Sequence, residues 1–125
     1  MKHHMRLASN LVPFSQLSDR FVPTGYGDGY EFDKKLEMLA GIEGLDGVAI
    51  GFPGPAPTGA ALRKILDRHG LPWGISDADI YTESRFKNGS LSNRDPKIRR
   101  AAIDRIKQAI DGSVEGGAGS MNLWL

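Results

Sequence analysis

The spacing of apolar positions divides the chain into short runs and helical stripes that alternate. Arg6-Leu7-Ala8-Ser9-Asn10-Leu11-Val12 reads as a first strand ending near Pro13. Phe32, Leu36, Leu39 and Ala40 then recur at helical spacing on one face, and Gly41 and Gly44 stop that helix. The continuous run Gly47-Val48-Ala49-Ile50-Gly51-Phe52 suits a strand covered on both faces, as in parallel sheets. Pro53-Gly54-Pro55-Ala56-Pro57 breaks the chain. Thr58 can cap the next helix, whose inner face is Leu62, Ile65 and Leu66, with Gly70 and Pro72 marking its end. A third strand runs from Trp73 to about Asp77, and a long polar loop covers Ala78 to Arg94. Asp95 caps and Pro96 opens a helix striped by Ile98, Ala102, Ile106, Ala109 and Ile110, running toward Val114 and ended by Gly116-Gly117-Ala118-Gly119. Met121-Asn122-Leu123-Trp124-Leu125 reads as a fourth strand.

Strands alternating with helices are the signature of an α/β protein with a parallel sheet and right-handed crossovers, here about four strands with three intervening helices. At 125 residues the chain is expected to be a single domain. Two architectures compete: a small doubly wound sheet, or part of a (β/α)8 TIM barrel, whose complete form needs about 250 residues. A doubly wound fold normally carries a helix after its last strand. The chain ends on a strand, which points to a partial barrel truncated after strand four.

Composition narrows the partners. Sixteen Lys and Arg against fifteen Asp and Glu leave a net charge of +1, so no strong field gathers nucleic acid or a membrane surface, and neither is expected as a partner. The absence of cysteine excludes disulfides, thiolate metal sites and a cysteine nucleophile. The start, Met1-Lys2-His3-His4-Met5, lacks the apolar core of a signal peptide, so the expected location is cytoplasmic. Sixteen glycines imply tight turns or close backbone approaches.

Several residues are candidates for chemistry. Gly25-x-Gly27-x-Gly29 lacks the spacing of a dinucleotide fingerprint and reads better as a flexible turn than as an anion cradle. Asn10 falls at the C-terminal end of the first strand, where barrel enzymes keep active-site groups, although a local turn role suits it equally. His3 and His4 are terminal, and His69 sits in a last helical turn, where a cation is favourable, so no Ser–His pair or His-rich metal site can be assembled. Asp77, Asp79 and Glu83 cluster after the third strand, where carboxylates can bind a cation or sugar hydroxyls, or simply shape and solvate a loop. Lys87, Arg94, Arg99 and Arg100 suggest a phosphate patch, but Asp95, Asp104 and Asp111 are interspersed and a solvated helix face accounts for them better. Trp73 reads as core. Trp124 is either core or the wall of a ligand pocket.

The third loop is more specific. Tyr81-Thr82-x-x-x-Phe86-Lys87-Asn88-Gly89-x-Leu91-Ser92-x-x-Asp95-x-x-Ile98-Arg99-Arg100-x-Ala102 resembles the corresponding stretch of the xylose isomerase family, and the similarity extends from about Gly47 to Trp124. The resemblance implies the xylose-isomerase-like TIM barrel superfamily, which includes sugar epimerases and a DNA-repair endonuclease branch. It implies a small-molecule sugar substrate walled by the aromatics at Tyr81 and Trp124. The last strand's alternation, which puts Asn122 and Trp124 on one face and Met121, Leu123 and Leu125 on the other, turns that pair toward the barrel interior, with Asp77 or Asp79 accepting sugar hydroxyls. A histidine that helps open the ring in xylose isomerases falls at Gly51, which favours a relative acting on another sugar. A divalent metal (Mn, Mg, Co or Zn) is implied for the complete fold, but its ligands come from strands five to eight, so no metal or catalytic residue is assigned within this chain. The expectation is a sugar or sugar phosphate isomerase or epimerase whose present chain alone is inactive. The alternatives are a non-catalytic half-barrel that associates through its unpaired strand edges, or an endonuclease-type relative, for which a net charge of +1 gives little support.

Overall fold

The computed structural model describes residues 5–124, which leaves His3, His4 and Leu125 outside the described residues. The element order is β1 (Ala8–Asn10), α1 (Phe32–Ala40), β2 (Gly47–Phe52), α2 (Gly59–Arg68), β3 (Trp73–Ala78), α3 (Pro96–Gly116) and β4 (Ser120–Asn122), with 3-10 turns at Val12–Phe14 and Ser84–Phe86. Four parallel strands form one sheet in the order β1-β2-β3-β4. The expected α/β architecture with three intervening helices is therefore present. Because the strand order never reverses, crossovers of one hand place all three helices on the same face. A doubly wound sheet would reverse its order and carry helices on both faces.

The outer strands are shorter than the apolar pattern suggests. Asn10 ends β1 by accepting the Val12 N–H on its side-chain oxygen at 3.1 Å, and Pro13 lies in the 3-10 turn that follows. β4 stops at Asn122, leaving Leu123 and Trp124 beyond it. β2 is covered on one face only, not two. Val48, Ile50 and Phe52 are buried with Leu36 and Leu39 of α1 and Leu62 and Leu66 of α2, whereas Ala49 and Gly51 on the other face are only half-buried. The register pairs Ala49 with Ile75, Gly51 with Asp77, and Asp77 with Asn122, so these residues share the uncovered face.

One irregularity determines that arrangement. Trp73 lies opposite Val48 and Ile75 opposite Ala49, so Gly74 is an extra residue in β3. Strict alternation would place Trp73 and Asp77 on the same face, since they are an even number of residues apart. The bulge lets Trp73 pack under the helices while Asp77 emerges on the open face. The Trp73 indole N–H is satisfied there by the carbonyls of Ile75 (3.0 Å) and Ile50 (3.3 Å).

The helices begin as their sequences suggest. Thr58 Oγ1 accepts the Ala61 N–H at 3.0 Å, and Asp95 Oδ1 accepts the Lys97 N–H at 2.8 Å with Pro96 in the first turn. The stripe on α3 departs from the expected one. Ala102 and Ala109 are buried, but Ile110 and Val114 are exposed, and the buried face continues instead through Gly112, Ser113 and Gly116. Glycine draws that face inward because it permits close approach. A side-chain carbon at Gly112 would strike the Phe52 ring, and one at Gly116 would lie 2.5 Å from the Trp73 ring and 2.7 Å from the Gly59 carbonyl.

The β3–α3 loop closes over a smaller core of Ile80, Phe86 and Ala102. The glycine-rich loop is packed rather than merely flexible: Tyr26 N–H donates to Gln16 O at 2.8 Å, and a side-chain carbon at Gly29 would lie 2.5 Å from Gln16 N.

Candidate functional site

The C-terminal ends of β1, β2 and β3 and the segment after β4 open onto one cleft of about 390 Å³. Its size falls within the roughly 300–1,000 Å³ of small-molecule sites. Asn10, Ala49, Gly51 and Asp77 form its sheet floor, and Tyr81 and Trp124 contribute aromatic walls. Phe32 and Lys35 of α1 line it as well. Small side chains make the recess: Ala49 and Gly51 leave space above the sheet that larger residues would fill.

The candidate residues from sequence divide here. Asn10, Asp77, Tyr81 and Trp124 come together in the cleft. Trp124 is 63% exposed and lines the cleft. Asn10 combines both roles considered for it, since its side-chain oxygen ends β1 while the residue also lines the cleft. Asn122 is paired in register with Asp77 but is not among the lining residues.

Asp79 does not join them. Its carboxylate accepts the Thr82 N–H at 3.0 Å, the Tyr81 N–H at 3.3 Å and the Thr82 hydroxyl, so it shapes the turn that presents Tyr81 and has no place in the cleft lining. Glu83 is likewise engaged, by Arg85 at 2.7 Å and by Arg105. The supposed acidic cluster therefore contributes one carboxylate, Asp77, to the cleft. Among the described residues no group of three or more His, Asp or Glu side chains converges as a metal cage.

Several polar groups of the cleft are unengaged: the Asp77 carboxylate, Tyr81 hydroxyl, Trp124 indole and Lys35 ammonium have no hydrogen-bond or ion-pair partner among the described residues. Elsewhere Lys34 pairs with Glu37, Arg63 with Asp67 and His69 with Asp33, and the Arg99 guanidinium donates to the carbonyls of Asn93 and Arg94. Burial pushes the Tyr81 phenol above its ordinary pKa, and the negative charges of Asp79 and Asp77 add to that effect. Its hydroxyl is thereby held protonated and able to donate. The His69 imidazole, through its hydrogen bond, holds the exposed Asp33 carboxyl below its usual range.

Lys35 was not evident from sequence. The available signal was its place three residues after Phe32 and immediately before the buried Leu36, at the border of the apolar stripe. Gly51, where the family resemblance expects a histidine, faces the cleft, and a side-chain carbon there would lie 3.4 Å from the Asp77 carbonyl. Compared with the known protein families, the chain matches none.

Proposed function

We propose that this chain forms four strands and three helices of a xylose-isomerase-like (β/α)8 barrel, and that its cleft binds the sugar substrate of an isomerase or epimerase. The observation carrying this reading is the convergence of Tyr81, Trp124, Asp77 and Asn10 at the C-terminal ends of parallel strands. Barrel enzymes place their active sites at that end. Aromatic planes suit the C–H face of a sugar ring, while an ionised carboxylate and a free amide N–H₂ accept and donate to its hydroxyls. The sequential strand order and the single helix-covered face support a barrel segment over a doubly wound sheet.

The divalent metal implied by the resemblance does not fit the residues described here. Among the described residues Asp77 alone offers a carboxylate in the cleft, and Asp79 and Glu83 are bonded elsewhere. In this reading the chain's own residues bind and orient the sugar, and the isolated chain does not turn it over. The experiment is calorimetric titration with a panel of aldoses and ketoses, alongside an isomerisation assay with Mg²⁺ or Mn²⁺. We expect sugar binding that is lost in Trp124→Ala with an unchanged melting temperature, since that side chain is exposed, and no turnover. Metal-dependent turnover would overturn the inactivity of the isolated chain. Failure of every sugar to bind would overturn the site.

A second reading rests on the two sheet edges. β1 and β4 each have one unpaired side and flank an uncovered sheet face, an arrangement open to association with a second copy.

A further inference from the structure

Resting on the sugar reading above, we propose that Lys35 binds an anionic group carried by the ligand, so that the cleft selects a phosphorylated or carboxylated sugar over a neutral one. Lys35 is the one cation among the described residues lining the cleft. It is half-buried and has no ion-pair partner among the described residues. Asp77 lines the same cleft, yet the two charges do not pair: one stands on the α1 wall and the other on the sheet floor.

Seating a ligand between them removes water from both. A half-buried ammonium that loses water without gaining an acceptor opposes binding, and a neutral sugar replaces that water with weaker acceptors than an anion provides. The same argument orients the ligand. An anion near Asp77 would be repelled, whereas sugar hydroxyls donate to that carboxylate. The hydroxyl-bearing end therefore lies over Asp77, between Tyr81 and Trp124, and the anionic end reaches α1. Phosphate and carboxylate share the chemistry that Lys35 recognises.

The test is calorimetric titration of the 125-residue chain with glucose, glucose 6-phosphate and glucuronate at low salt, repeated with Lys35→Met. At least one charged sugar is expected to bind about fivefold more tightly than glucose. That preference should shrink as salt is added. Lys35→Met should abolish that preference, and by the same desolvation argument should not weaken glucose. Preference confined to the phosphate arm or to the carboxylate arm identifies which group the site takes. On the native chain, inorganic phosphate should compete with the preferred charged sugar at concentrations that leave glucose binding unchanged, a measurement that requires no variant.

Equal or weaker binding of both charged sugars would overturn this inference and leave the sugar site standing. Loss of affinity for all three sugars alike in Lys35→Met would overturn it too, because the lysine would then be supporting the wall. Failure of all three sugars to bind would overturn both readings.

Discussion

Single residues in the cleft differ from their neighbours in how their polar groups are bonded. Asp79 spends its carboxylate on the turn, whereas Asp77, two residues earlier, keeps its own free on the sheet floor. Nothing in the spacing of Asp77, Asp79 and Glu83 distinguishes them; hydrogen bonds to Thr82 and ion pairs to Arg85 and Arg105 do. Tyr81 carries a pH signature of this setting. Its raised pKa means that the folded state retains the phenolic proton to higher pH than the unfolded chain does. The associated stability is fully present below the unfolded value of about 10 and is lost as pH rises through the folded value. Tyr81→Phe should therefore lose less stability in alkali than the native chain, as read by urea midpoints at rising pH. A spectrophotometric titration should show its latest tyrosine ionisation missing. Ser76 makes a different prediction. Its hydroxyl is buried on the helix-covered face of β3 with no hydrogen-bond partner among the described residues. Ser76→Ala removes an uncompensated polar group and should leave stability unchanged or raise it by up to about 1 kcal/mol. A clear fall in the urea midpoint would show that the hydroxyl is bonded.

Among the elements, the α2–α3 contact depends most on residue size. A side-chain carbon at Gly59 would overlap the Gly112 carbonyl oxygen and lie 2.9 Å from Gly116 N. The Gly59 N–H also donates to Glu115 of α3 at 3.0 Å. Gly59→Ala should destabilise the fold by about 1–3 kcal/mol in urea unfolding, because the obstacle is backbone that cannot rotate aside. An unchanged midpoint would mean that the helices separate freely. Helix starts and most apolar runs were legible in the sequence because capping and periodicity are local. The inner face of α3 was not, since its glycines register only against Phe52 and Trp73, which are distant in the chain. The loop that carries the family resemblance is mostly structural. Phe86 fills the smaller core, Gly89 takes a positive φ of 100°, Asp95 caps α3 and Arg99 ties the loop carbonyls. Of its residues, Tyr81 alone lines the cleft.

For the whole molecule, the unequal faces of the sheet matter most. Helices cover one face, while Asn10, Ala49, Gly51 and Asp77 lie under open space on the other. Two free edges beside such a face predict association that grows with protein concentration, measurable by sedimentation velocity. Ala8→Lys with Ser120→Lys places charge at exposed positions of both outer strands and should reduce that association without altering the melting temperature. A chain that remains monomeric at every concentration would show that these edges do not pair. No helix among the described residues is long and apolar enough to cross a membrane.

The extra residue in β3 gives the strand two counting frames, one before Gly74 and one after it. Loss of that single glycine would leave Trp73 and Asp77 an odd number of residues apart, and ordinary alternation would keep them on opposite faces. Drawing Gly74 into the regular ladder, with the residue kept, would instead turn Asp77 beneath the helices as an uncompensated charge among leucines, at a cost of several kcal/mol, with Ser76 and Ala78 in its place above the sheet. The bulge is therefore the place where β3 can lose a residue and keep its wet and dry sides, and a length change in the loop between Ala78 and Asp95 moves surface segments alone. Deletions tolerated during evolution are accordingly expected at Gly74 or in that loop.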